Sequence, residues 1–331
     1  MNAAGASAWG RLRSWLGHET PGDAYWRLRQ TPVAADDTLR LEPFFAGGRL
    51  DSAKADAAFR NIAHRIRALR ILFAPAVPSG VALKASRLRL MEYLTHQVRQ
   101  LREDGFDADI ADIDAGARVE VSARRLADII RVHHRPTFVI THSKGGLDFL
   151  HMLVEHPELQ RYIDGWIAFQ APFLGSPVAD VASGRKRARK IGGAALRFLG
   201  ADFAAIGDLR TDRRARYMED HAARIASIAS DVRIMCVGTV AGTSAFKASL
   251  PADWPTGRAM EKFDLRNDGL VPVNSTVLPG AHYVMLDGLG HGQVAASHVL
   301  SGRKFEHVDL LKALFAVMLG DGAAATRVVA A

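Results

Sequence analysis

Apolar and polar positions along the chain follow two periods that take turns. Short aliphatic, β-branched runs predict strands, and longer stretches with apolar residues at i, i+3 and i+4 predict helices. "LRILFAP" (69–75), "TFVIT" (137–141), "IDGWIAFQ" (163–170), "VRIMCVGTV" (232–240) and "HYVMLDG" (282–288) read as strands, and "FDADIADI" (106–113) alternates apolar with acidic as a further strand. Between them lie helical patterns. One covers residues 85–103 and ends near Gly105. "VEVSARRLADIIRVHH" stops before Pro136, "GGLDFLHMLVEH" stops before Pro157, and "FEHVDLLKALFAVML" follows the last strand. Proline disfavours helix in the residue before it, which explains both stops. Strands alternating with helices of this length predict an α/β fold: a mostly parallel central sheet with helices on both faces. Ligands of such sheets bind beyond the carboxyl ends of the strands, so each turn after a strand is a candidate site.

Two segments depart from the alternation. Residues 1–65 read as an N-terminal extension, in which "TLRLEPFFAGGRLDS" suggests a strand pair turning at Gly47-Gly48. "KADAAFRNIAHRIRALR" is a helix with Ala58, Phe59, Ile62 and Ile66 on one face. The main domain then spans 66–320, with a helical, basic insertion at about 176–230 expected to cap the strand ends as a lid. Residues 321–331 read as a frayed tail.

Composition narrows this picture. Apolar residues at 48% and charged residues at 24% are ordinary for a folded domain, and 331 residues suffice for one large domain with an insertion. A single cysteine, Cys236, excludes an internal disulfide, fits a reducing, cytoplasmic setting, and lies in an apolar strand as a buried thiol. The formal charge of +8 is spread over helices without a nucleic-acid motif, so nucleic acid is not an expected partner. No apolar run has the length of a membrane span. Trp9, Leu12, Trp15 and Leu16 recur at helical spacing among arginines, open to two readings: a helix packed on the domain, or an interfacial membrane helix. The basic run "RKRARK" in the insertion is likewise either a solvated face or a contact for anionic lipid.

The candidate chemistry sits in "TFVITHSKGGLDFLHML". A strand ends at His-Ser-Lys-Gly-Gly and a helix begins at once. A serine at such a turn is a nucleophile elbow, although Thr141 stands where the G-x-S-x-G pattern has its first glycine. The backbone N–H of Lys144, at the helix start, is placed to help hold an oxyanion. Ser143 then needs a base and an acid. Asp268, in the Asn-Asp-Gly turn of "FDLRNDGLVPVNS", follows the Cys236 strand, and His291, between Gly290 and Gly292, follows the last strand. Asp264 is the alternative acid, and Asp287 reads as a strand end. Ser176-Pro177 reads as a helix start with a serine cap. His133, His134 and His151 show no metal-ligand spacing, and neither metal nor cofactor is expected.

With "HSKGG", "FQAPFLGSPVAD", "IGDLRTDRRARYM", "NDGLVPVNS" and "PGAHYVMLDGLGHG", the chain resembles the α/β-hydrolase superfamily, and within it the lipase- and esterase-like serine hydrolases, over about residues 70–318. The resemblance implies a Ser143–His291–Asp268 triad acting on carboxylic esters or lipid-like substrates through an acyl-enzyme. It also implies that Pro75-Ala76-Val77 matches the family's oxyanion turn, with the N–H of Val77 as second donor. Phe173 and Leu174, and Phe198 and Leu199 in the insertion, are candidates for the substrate pocket. Two other functions fit the same residues. One is acyl transfer or thioester cleavage with the same triad. The other is a catalytically weak hydrolase-fold protein that binds at a membrane surface.

Overall fold

The computed structural model describes residues 27–28, 30, 32–75, 91–184, 203–241, 260, 266–298 and 306–320. Its strands are β1 (Ala35–Asp36), β2 (Phe45–Ala46), β3 (Arg49–Leu50), β4 (Arg70–Ala74), β5 (Met91–Tyr93), β6 (Asp107–Ile110), β7 (Thr137–His142), β8 (Ile163–Phe169), β9 (Arg233–Val240), β10 (His282–Asp287) and β11 (Ala296–His298). The main helices are α1 (Ser52–Arg67), α2 (Thr95–Glu103), α3 (Val119–His133), α4 (Lys144–Glu155), α5 (Pro177–Gly184), α6 (Phe203–Asp208), α7 (Thr211–Asp220), α8 (Ala222–Asp231) and α9 (His307–Leu319).

Seven strands form one sheet in the order β1-β10-β9-β8-β7-β4-β6, and every pairing in it is parallel. Every residue of β4 and β7 is buried, which is why these strands read as continuous apolar runs and not as alternating ones. Their side chains divide between two cores. Ile71, Phe73, Phe138 and Ile140 meet α1, α2 and α9 on one face. Leu72, Ala74 and Val139 meet α3, α4 and α8 on the other. The strand order turns back between β4 and β7, since β6 lies outside β4 while β8, β9 and β10 extend the other way. A crevice opens at such a switch point, beyond the carboxyl ends of the strands. Ser143 follows β7 there.

Three stretches differ from the sequence reading. Residues 35–65, within the segment read as an extension, contribute to the main fold: β1 pairs with β10, and Phe59 and Ile62 of α1 are buried in the first core. The β2–β3 pair turns at Gly47-Gly48 as expected. Of the helix expected at 85–103, the described part is a helix only from Thr95, because Met91–Tyr93 pairs with Ala296–His298 as a small antiparallel ribbon. The expected lid also extends too far. Ile225 and Ile228 of α8 are buried in the second core, so α8 is a crossover helix between β8 and β9. Within 176–230, α5 and α6 pack on each other through Ala179, Ala182 and Ile206 as a satellite cluster. The N-terminal tryptophan helix, the "RKRARK" run and the C-terminal tail lie outside the described residues. Among the described residues no helix is long and apolar enough to cross a membrane.

Candidate active site

Ser143 sits between β7 and α4 with φ 52° and ψ −125°, a left-handed conformation that L-residues other than glycine rarely adopt. The turn holds it there through the Ser143 N–H, which donates to Phe169 O at 2.8 Å. Both following glycines are required by close approach. A Cβ on Gly145 would lie 2.5 Å from Ala74 O, and one on Gly146 would lie 2.4 Å from the Ala171 Cβ. Thr141, the departure from the glycine pattern, is fully buried, and its Oγ1 accepts from the Trp166 indole at 2.9 Å. The residue therefore ties β7 to β8, where a glycine would leave a buried indole N–H without this partner.

The sequence brings two further groups to Ser143 from far along the chain. His291 Nε2 lies 3.0 Å from Ser143 Oγ, and His291 Nδ1 lies 2.8 Å from Asp268 Oδ2. Asp268 is fully buried, and its Oδ1 accepts from the N–H groups of Leu270 at 2.9 Å and Val271 at 2.7 Å. The Asn-Asp-Gly turn thus aims one carboxylate oxygen at the ring and satisfies the other with backbone. The His291 N–H donates to Asp268 O at 2.7 Å, so the two loops are also joined through their main chains. Ser176 caps α5 through the Val178 N–H at 3.1 Å, and its hydroxyl donates to Leu270 O at 2.6 Å. The serine–proline start of that helix therefore also braces the Asp268 turn.

Other expectations resolve differently. Phe173 is fully buried, its ring edge-on to Trp166 at 5.8 Å in the second core. Leu174 is half-buried at the margin of the same core. Val77, Phe198, Leu199 and Asp264 lie outside the described residues. Asp287 is exposed at the end of β10, and His133 and His134 are exposed at the end of α3. Burial pushes the Cys236 thiol up to about 12, as expected of an inert core cysteine. Among the described residues no group of three His, Cys, Asp or Glu side chains is placed to hold a metal ion.

The sequence reading missed two polar residues. His142, beside Ser143, is buried with its ring 5.2 Å from that of His291. Its Nδ1 lies 2.9 Å from the Tyr93 hydroxyl and its Nε2 lies 3.2 Å from Gln170 Oε1. The signal for Gln170 was its place at the carboxyl end of a strand, where a polar residue has a site to serve. Burial, and after it the neighbouring His291, push the His142 ring down to about 3, with the Gln170 hydrogen bond opposing the fall. The unfolded chain takes up this proton near its ordinary value of 6.5, while the fold refuses it until about 3. This group's stabilisation is therefore fully present above about pH 6.5 and is lost as the pH falls toward 3. Between about pH 7 and 4.5, the unfolding free energy of the wild type falls by up to about 1.4 kcal/mol per unit from this source. Urea titrations of wild type and His142→Asn at the two pH values check it, since the variant lacks that part of the slope.

No protein-family model and no curated protein matches the sequence. Solved structures match it in fold. A metagenomic carboxyl esterase superposes with a TM-score of 0.64 at 15% identity, over 93% of this chain and 97% of that one. The mature form of a lipase from Bacillus licheniformis gives a TM-score of 0.55 at 18% identity, over 76% of this chain and 92% of that one. EstA from Clostridium botulinum gives 0.54 at 11% identity, over 96% of this chain and 99% of that one. Identities this low speak to architecture alone. Seven parallel strands between two helical layers, a strained serine at the turn after β7, and these superpositions lead to one conclusion: the chain has the α/β-hydrolase fold.

Proposed function

We propose that this protein is a carboxylic-ester hydrolase, lipase- or esterase-like, in which Ser143 is the nucleophile, His291 the general base and acid, and Asp268 the residue that orients His291. The observation that carries this reading is the unbroken hydrogen-bond series from Ser143 Oγ through the His291 ring to Asp268 Oδ2, at 3.0 Å and 2.8 Å. Solved esterases and lipases of the same fold support the substrate class. In this mechanism Ser143 Oγ attacks the ester carbonyl as His291 Nε2 removes its proton. Asp268 keeps the Nδ1 proton in place and stabilises the imidazolium. The Lys144 N–H, at the start of α4, and the N–H of Val77, three residues past the end of β4 in the sequence, hold the oxyanion. His291 then protonates the leaving alcohol, and water releases the acyl group by the same steps in reverse. Phe173, Leu174, Phe198 and Leu199 are the proposed pocket residues for the acyl group. The proposed lid is the insertion at about residues 176–230, apart from α8, and its basic run or the N-terminal tryptophan segment is the proposed contact with a lipid surface.

A fluorophosphonate probe and a series of p-nitrophenyl esters of rising acyl length test this, with and without phospholipid vesicles. Labelling of Ser143 together with ester turnover is the expected result. A folded protein that neither labels nor turns over any ester would refute it. A rate increase on adding vesicles marks a lipase, and preference for short soluble esters marks an esterase.

A further inference from the structure

Gln170 follows β8 with φ 50°, a left-handed conformation costly for a side-chain-bearing residue, and it is fully buried. Its backbone N–H donates to Val237 O at 2.8 Å, which continues the sheet, while the preceding Phe169 O receives the Ser143 N–H. The amide side chain is engaged on all sides. Oε1 accepts from the Gly292 N–H at 3.0 Å, and Nε2 donates to Gly290 O at 3.2 Å and to Thr239 Oγ1. These two backbone partners cannot exchange roles, because one only donates and the other only accepts. They therefore fix which end of the amide is oxygen. His142 Nε2 faces that oxygen at 3.2 Å, so it must carry the proton. Nδ1 is then the bare nitrogen of the neutral ring, and it accepts from the Tyr93 hydroxyl at 2.9 Å.

Two consequences meet at His291. Gly290 and Gly292 flank it, and Gln170 binds the carbonyl of the first and the N–H of the second. The loop is held on both sides of the base by one side chain. The groups facing the His142 ring are the Tyr93 hydroxyl from β5, the Gln170 amide after β8, and His291, whose far nitrogen is on Asp268. No carboxylate hydrogen-bonds to His142 among the described residues. The neutral ring at 5.2 Å lets His291 accept the serine proton without a second positive ring beside it.

We propose that Gln170 is a positioning residue for the hydrolysis: it clamps the His291 loop from both sides and fixes His142 as the uncharged Nε2–H tautomer. The inference rests on the ester-hydrolase reading for its kinetic part only. The tautomer is read by long-range ¹H–¹⁵N correlation of the histidine rings across about pH 5 to 8, which needs no turnover. In the wild type His142 is expected as the Nε2–H form, without titrating. In Gln170→Glu the carboxylate stabilises the protonated ring, so His142 titrates within that range and a new ionisation enters the acid limb of kcat/KM. Gln170→Met, close in size but without hydrogen bonds, is expected to lower kcat at least tenfold with KM changed less than threefold, while circular dichroism shows a folded chain. A wild-type His142 that titrates near neutrality, or is protonated at Nδ1, overturns the tautomer half. A Gln170→Met kcat within twofold of the wild type overturns the clamp. Absence of ester turnover by the wild type would instead refute the hydrolase reading and leave the ring measurements to stand or fall by themselves.

Discussion

Ser143→Ala is expected to lower ester turnover by about a thousandfold or more, and Asp268→Asn to lower it by roughly the same order. The two losses have different physical origins. Alanine removes the attacking oxygen and leaves the elbow untouched, since its backbone keeps φ 52° and the Ser143 N–H bond to Phe169 O is a main-chain bond. Asparagine keeps the shape at residue 268 and changes what it presents to His291 Nδ1. An amide nitrogen there favours the tautomer with its proton on Nε2, which can no longer accept from Ser143 Oγ. The Leu270 and Val271 N–H groups, bound to Oδ1, hold the amide oxygen on their side and so turn the NH2 toward the ring. Fluorophosphonate labelling separates the two variants. Ser143→Ala labels not at all, whereas Asp268→Asn labels slowly. Ser143→Gly makes a third comparison: it is equally inactive, but it relieves the left-handed strain, worth about 1–3 kcal/mol, and should unfold at a higher temperature than Ser143→Ala. Equal turnover in wild type and Ser143→Ala would remove Ser143 from the mechanism.

The main strands and their order relative to Ser143, Asp268 and His291 are legible because buried parallel strands leave a plain apolar signature, and because Ser143 and His291 stand in turns close after β7 and β10 while Asp268 lies between β9 and β10. What could not be read was which neighbours those residues have. Thr141 and Trp166 lie on adjacent strands, and their bond depends on the β7–β8 register, which the residue pattern of either strand alone does not fix. Gln170 ended a strand in the sequence without any periodicity to mark it, and its partners come from β7, β9 and the 290–292 loop. The 91–93 ribbon was lost inside a helical pattern because its partner strand lies some 200 residues away. In α8 the apolar spacing is helical, but nothing local distinguishes a helix that covers a sheet from one that covers a site.

Removing the Asp148 carboxylate should markedly lower the stability of the fold near the site. Lys144 and Asp148 stand one turn apart on α4 and are both fully buried, with Nζ donating to Oδ1 at 2.7 Å and Oδ2 at 2.9 Å. The ammonium's third bond goes to Ser122 Oγ on α3, at 3.3 Å. Local helix electrostatics do not explain the arrangement, because a cation in the first turn opposes the helix dipole. Arg214 of α7 is buried near the same carboxylate, its Nε donating to Phe173 O at 3.2 Å and its guanidinium 4.3 Å over the Tyr217 ring. Asp148 therefore balances buried positive charge from two helices. Burial pushes its carboxyl up to about 7 against the pull of Lys144, so the pair is best measured at about pH 8, where the carboxylate is ionised. There Asp148→Leu leaves the Lys144 ammonium without its counter-ion, and the expected cost is about 3–5 kcal/mol, a fall in melting temperature on the order of 10 °C. Lys144→Met should also destabilise the fold, because the Asp148 carboxyl loses its principal donor and the pull that keeps it ionised, and so takes up a proton in the core. The double variant replaces both charges with apolar groups of similar volume and should recover at least about 2 kcal/mol of the summed losses. Urea denaturation of the four proteins gives this coupling directly. Additive losses would mean that the pair acts as two independent buried charges, and that the start of the elbow helix is held by packing alone.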